Sequence, residues 1–186
     1  MHSGSASQKI LELQKGMPDD ALLPRQLLQR CVSLPFQNAP STFALLNYGE
    51  DGGTAAFRKN VAAFVNAASP EVASGQYRAF ESTQFFSTAG NSHALSMLCA
   101  LLLHHQPSTV LCDDPSYPFA LKIFRDHRAT LVAVPMTSDG QTDVQAMSVA
   151  VNEAKNAGRP VAFVYVIPSF HNPTGRSMHV TTRSAL

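Results

Sequence analysis

VAFVYVIPSFHNPTG, Val161 to Gly175, joins two signals in one stretch. Its first seven residues are almost wholly apolar, β-branched or aromatic, as in a strand buried on both faces. Its end is a turn. Asn172 stands before Pro173 and is biased away from helical geometry, while Gly175 permits a tight return. The amide of Asn172 is thereby fixed where it can donate to a ligand oxygen; a plain Asn-Pro turn is the alternative reading. A buried strand that ends in a polar loop suits a parallel sheet, whose functional groups collect at the carboxyl ends of its strands.

The same unit recurs upstream. FFSTA (85–89) reads as a first strand, followed by a turn at Gly90, Asn91 and Ser92 into an apolar helix from His93 to Leu103. TVLC (109–112) is a second strand, and Pro118 opens a helix carrying Phe119, Ile123 and Phe124. TLVAVP (130–135) is a third. Asp139 and Gly140 then turn the chain, Thr142 and Gln145 form a capping box, and Gly158 closes the helix that follows. Val161 to Ile167 is the fourth strand. Strands alternating with helices imply an α/β fold, a mostly parallel sheet with helices on both faces. Before this, Thr54 caps a helix bearing Phe57, Val61, Phe64 and Val65, with Pro70 past its end. Residues 1–47 are rich in proline and loop formers and read as an extended arm with one short helix. Residues 48–186 read as the larger, sheet-bearing domain.

Composition narrows the function. The 186 residues carry a net charge of +1 with 15% charged residues, so no basic face for nucleic acid is implied. The apolar run near Leu95 to Leu103 is far shorter than the ~20 residues that span a bilayer, and no secretory segment opens the chain. A soluble, cytoplasmic protein is expected. Glu12 being the first acid leaves a mitochondrial transit peptide open, although no arginine precedes Arg25. Cys31, Cys99 and Cys112 read as reduced and structural. His104 and His105 diverge by about 100° on a helix and make a poor chelate, so no metal site is expected.

Three loops carry chemistry. Gly90, Asn91 and Ser92 sit at a helix start, where backbone N–H groups and a hydroxyl suit a phosphate; a tight turn alone would also favour them. Tyr117 in DDPSYP is held between Pro115 and Pro118, placed to stack on an aromatic ligand or simply to cover a strand end. Asn172 is the third.

In this order GMPDDALLP (16–24), LNYGEDGGTAAFR (46–58), TAGNSHAL (88–95), DDPSYPFAL (113–121) and VYVIPSFHNPTG (164–175) resemble the class I/II aminotransferases of fold type I. The likeness includes the aminotransferase-like half of certain bacterial regulators. It implies pyridoxal 5'-phosphate as cofactor, with Gly90, Asn91 and Ser92 at its phosphate, Tyr117 on its ring and Asn172 on its phenolic oxygen. Tyr48 is similar to the tyrosine that crosses a dimer interface to the partner's phosphate. Gly16 is similar to the glycine whose backbone meets the substrate carboxylate. Amino acid and 2-oxo acid substrates, a homodimer when complete, and neither nucleic acid nor membrane as partner follow from the same likeness. His93 and His171 stand where many relatives carry glutamine, and no chemistry is assigned to either.

The resemblance also implies a Schiff-base lysine, an aspartate for the pyridine nitrogen and a late arginine, all downstream of NPTG. Lys9, Lys15, Lys59, Lys122 and Lys155 all precede Asn172. The chain is therefore expected to be an N-terminal fragment, the first half of a fold-type I large domain behind its arm, without catalytic turnover of its own. A non-catalytic cofactor-binding or regulatory module is the alternative. The fourth strand is expected to present an open apolar edge, and the isolated chain to be prone to aggregation.

Overall fold

Thr109–Asp114, strand β1, is the centre of the sheet, and its alternation sorts the core into two layers. It pairs in parallel with β2 (Thr130–Pro135) on one side and with β3 (Val161–Tyr165) on the other, in the order β2-β1-β3. The structure, a computed structural model, describes residues 16–37, 46–104 and 108–186. His105 and the parts of the arm at 1–15 and 38–45 lie outside the described residues.

Neighbouring residues of β1 face opposite sides of the sheet, as the pleat requires. Val110 packs with Cys99, Ala120 and Phe124, which come from helix α4 (Asn91–Leu102) and helix α5 (Pro118–Asp126). Leu111 packs with Val134 and with Met147 of helix α6 (Val144–Asn156). Helices therefore cover both faces, as expected. Phe124 is fully buried and meets Phe163 and Tyr165 edge to face at 5.4 and 5.3 Å. Phe119, expected beside it, is exposed.

Register explains how the strand ends align. Thr109 to Asp114 lie opposite Thr130 to Pro135 without interruption. On the other side Thr109 pairs with Val161 and Cys112 with Tyr165, with one register shift between Thr109 and Val110. Gly158, at φ +67°, ends α6 in a Schellman motif: Arg159 N–H donates to Ala154 O at 3.0 Å and Gly158 N–H to Lys155 O at 3.1 Å.

Three expectations are corrected. Residues 85–88 of FFSTA take no regular structure, because a short apolar run becomes a strand only where a neighbour offers it a ladder. The cap of α6 is Asp143, whose carboxylate accepts from Ala146 N–H at 2.9 Å, one residue beyond the expected Thr142. The fourth expected strand is shorter than predicted and half-buried, since among the described residues β3 has a neighbour on one side only.

The chain divides into two compact units, the first ending at Ser82 and the second running Thr83–Leu186. In the first unit helix α1 (Arg25–Phe36) and helix α2 (Ala55–Ala68) are the main elements, followed by the single turn of helix α3 (Pro70–Ala73). Thr54 Oγ1 accepts from Phe57 N–H at 3.2 Å and caps α2 as predicted. Asn66 on α2 exchanges two hydrogen bonds with the backbone of Phe80, at 2.8 and 2.9 Å. Among the described residues no helix is long and apolar enough to cross a membrane.

Two outcomes are expected. Phe124→Ala empties the centre of one layer and costs about 3–5 kcal/mol in urea unfolding followed by circular dichroism. Val164→Lys, at an exposed position of the edge strand, lowers light scattering of the purified chain at equal concentration.

Candidate functional site

Because β1 and β3 are parallel neighbours with Cys112 opposite Tyr165, the loops that leave them start side by side. The first loop ends at Tyr117, the N-cap residue of α5. Its ring is half-buried against the α4/α5 layer and edge to face with Phe119 at 5.5 Å. Burial pushes the Tyr165 phenol up, and the nearby Tyr117 phenol pushes it in the same direction. Tyr117 is thus set by packing.

Gly90 heads α4, which packs on α5. Its φ of +89° and ψ of 173° suit glycine, and a Cβ there would meet nothing within 4 Å. No side chain caps α4, and the ladder starts with Ala94 N–H to Gly90 O at 3.1 Å. The amides of the first turn are left facing open space, with Asn91 and Ser92 both exposed beside them. His93 Nδ1 accepts from Ala89 N–H at 3.0 Å and braces the turn.

Asn172 lies on the loop after β3, and the Asn172-Pro173 peptide bond is cis. Met178 N–H donates to Pro168 O at 2.8 Å and ties the loop's ends together. Inside it His171 N–H donates to Arg176 O at 2.7 Å, and Gly175 N–H to His171 O at 2.5 Å. Arg183 of helix α7 (Val180–Ala185) reaches back to Pro168 O at 2.8 Å, Ser169 Oγ at 3.1 Å and Met178 O at 3.1 Å. Gln141 accepts from His179 N–H at 2.7 Å. Asn172 itself is exposed.

Tyr117 and Asn172 therefore stand on loops from the same sheet edge, and Gly90 to Ser92 head the helix packed beside the first of them. Tyr48 is fully exposed in the first unit, its N–H bonded to Asn47 Oδ1 at 2.8 Å, and Gly16 is exposed there with open space around it. On three observations the second unit's residues suit a phosphorylated ring: the uncapped helix start with room above Gly90, the half-buried aromatic face, and the exposed amide on a fastened loop.

Sequence reading missed a buried polar group beneath that loop. Asp113 follows Leu111 onto the α6 face, and its Oδ1 accepts from Thr142 Oγ1 at 2.7 Å. Its Oδ2 lies 3.9 Å from Nε2 of the buried His171. A cleft of about 200 Å³ of empty space, open to solvent, lies among Asp113, Gln141, Thr142, His171, Arg176 and Met178. Burial raises the Asp113 carboxyl, while the Thr142 hydrogen bond and then His171 act against the rise. The signal was in the sequence: a carboxylate at an inward position of a central strand demands a donor.

The description "Aminotransferase class I and II" fits residues 9–182. The chain belongs to that family. It is 26% identical over 179 residues to an uncharacterized aminotransferase of Saccharolobus solfataricus, covering 96% of this chain and 42% of the relative. Over 98 residues it is 34% identical to the uncharacterized HTH-type transcriptional regulator YisV of Bacillus subtilis, 53% of this chain and 19% of that protein. The solved structure of an archaeal alanine:glyoxylate aminotransferase superposes with a TM-score of 0.73 at 26% identity, covering 91% of this chain and 39% of that one. The fold is thus fold type I, and the chain spans about two-fifths of the length of these aminotransferases.

Asp113 generates a pH prediction. Its folded pKa lies above the ordinary value of 3.8, so the stability it lends is fully present below 3.8 and is lost as pH rises through the raised pKa. Asp113→Asn has no such slope. Wild type should lose stability relative to Asp113→Asn as pH increases across that window, measured by denaturant unfolding at a series of pH values. Thr142→Val, which leaves the buried carboxylate without its donor, should cost about 1.5–3 kcal/mol at neutral pH.

Proposed function

We propose that this chain supplies the cofactor-binding cup of a pyridoxal 5'-phosphate-dependent aminotransferase, which moves an amino group between an amino acid and a 2-oxo acid. What supports the reading is that Tyr117 and Asn172 stand on loops leaving adjoining strand ends of a parallel sheet, while a glycine-headed helix with no side-chain cap packs on the helix that Tyr117 opens. Family membership supports it. When bound, the cofactor would supply an electron sink for the charge that develops at the substrate's α-carbon.

The chain's own residues bind and orient. The first amides of α4 and the Ser92 hydroxyl donate to the phosphate. Tyr117 covers one ring face and excludes water from it. Asn172 Nδ2 donates to the ring oxygen. Gly16 offers its backbone to the substrate carboxylate, and Tyr48 reaches the phosphate of a second copy in a homodimer. No lysine follows Asn172 in the sequence, and among the described residues Lys122 is paired with Asp126 at 2.6 Å on α5, so the reading assigns the covalent link to the cofactor and the α-proton transfer to no lysine after the asparagine loop. By itself the chain binds without turning over.

A non-catalytic cofactor-binding or regulatory module is the second reading, and the likeness to YisV is the observation that favours it. Both readings share the cup.

Titration of the purified chain with pyridoxal phosphate, followed by absorbance, should show saturable binding that borohydride does not render covalent. Ser92→Ala removes a hydrogen bond to a charged group, worth about 1.5–3 kcal/mol, and should weaken binding at least tenfold. Absence of binding at millimolar cofactor would refute the cup. Transamination by the chain alone would refute its lack of turnover.

A further inference from the structure

A buried carboxylate and a buried imidazole meet beneath the loop that carries Asn172, and the binding groups described above use neither. Among the described residues Asp113 Oδ2 and His171 Nε2 have no hydrogen-bond partner, and their side chains are 1% and 4% exposed. The other heteroatom of each is committed. Asp113 Oδ1 takes the Thr142 hydroxyl. His171 Nδ1 accepts the backbone N–H of Thr174 at 3.4 Å and lies 2.9 Å from its Oγ1. A backbone N–H can only donate, so Nδ1 is an acceptor and the ring hydrogen sits on Nε2, the atom next to the Asp113 carboxylate.

The environment says which partner is fixed. Asp113 belongs to the central strand and is held from both sides, by the ladder and by Thr142. The loop is exposed at every residue from Ser169 to Ser177 except His171. That ring is the loop's inward anchor.

We propose that Asp113 and His171 are positioning residues: the carboxylate at the end of β1 holds His171 in its Nε2–H form, and the ring fixes the Pro168 to Met178 loop so that Asn172 presents its amide to the cofactor's ring oxygen. The last step rests on the proposed role of Asn172; the tautomer and the anchoring do not. A charge facing an N–H dipole inside a low-dielectric pocket acts more strongly than the same pair in water. The imidazole is bifunctional here: Nδ1 accepts from Thr174, and the Nε2–H faces the Asp113 carboxylate at 3.9 Å without closing a hydrogen bond. A glutamine side chain offers the same two functions, and a leucine of similar bulk offers neither.

The test compares His171→Gln, His171→Leu and Asp113→Asn with wild type, using pyridoxal phosphate and inorganic phosphate as probes. Removing the partner that orients a metal-ligating side chain costs about 10–100-fold in metal affinity or activity, and the lower end of that range is carried over to the Asn172 loop. His171→Leu and Asp113→Asn should therefore weaken pyridoxal phosphate about tenfold, while His171→Gln stays near wild type. Affinity for inorganic phosphate, which meets only the α4 end, should not change. Equal behaviour of the Leu and Gln variants would overturn the proposal, since packing alone would then account for His171. A ¹⁵N spectrum of histidine-labelled wild type, with His171 assigned by its loss in His171→Gln, should show the Nε2–H form alone; the Nδ1–H form or a mixture would also overturn it. The spectrum needs no cofactor. If wild type binds no pyridoxal phosphate the proposed function fails, while the spectrum still decides the pair.

Discussion

Parallel pairing brings the last residue of each strand, and the loop after it, to the same edge as its neighbours', and here it does so around β1. Asp114 ends opposite Pro135 and Cys112 opposite Tyr165, so the loops toward Tyr117 and toward Asn172 leave from adjoining points. An antiparallel partner for β1 would have sent one of them to the far end of the sheet. The parallel arrangement in turn depends on helices crossing both faces, which is why α5 and α6 must bury Phe124 and Met147.

Much of this was legible because the relevant signals are local. The run TLVAVP has the bounds of β2, Pro118 begins α5, Thr54 caps α2 and Gly158 ends α6, each through a residue whose backbone chemistry permits little else. What failed needed partners distant in sequence. FFSTA has strand composition but lies in no ladder, and the burial of β3 depends on how many neighbours it has. Thr142 looked like a cap because a hydroxyl before a helix usually is one; the central strand claims it for Asp113, and Asp143 takes the cap. The candidate binding residues were visible as loop motifs. Their buried support, His171 above all, was not, since its partner lies 58 positions away and no motif links them.

A carboxylate in the middle layer of such a sheet is an expensive choice. Leu111 and Val134 show that an apolar side chain fits this face, and replacing buried polar pairs by apolar ones is often neutral or stabilising. Asp113 instead faces one hydroxyl and one imidazole, and its carboxyl is raised by burial. Packing gains nothing from this. The gain is directional: the carboxylate takes the Thr142 hydroxyl in a hydrogen bond and sets a charge-bearing group opposite the His171 ring, and an apolar residue of the same bulk would do neither.

The two faces of the sheet therefore secure their loops by different physics. On the α4/α5 face Tyr117 is held by close-packed rings and aliphatic side chains around Phe124, contacts insensitive to pH and salt. On the α6 face the Asn172 loop is held by polar contacts, from Arg183, Gln141 and the Asp113 to His171 pair, around a cleft that opens to solvent. Packing resists displacement in every direction, whereas hydrogen bonds fix a particular geometry and yield once a donor or acceptor changes state. In the proposed cup a ring platform needs only a flat wall at the right height, which packing supplies. An amide proposed to meet one oxygen needs an orientation, which directional bonds supply, so on that proposal each side is built from the kind of contact its task requires.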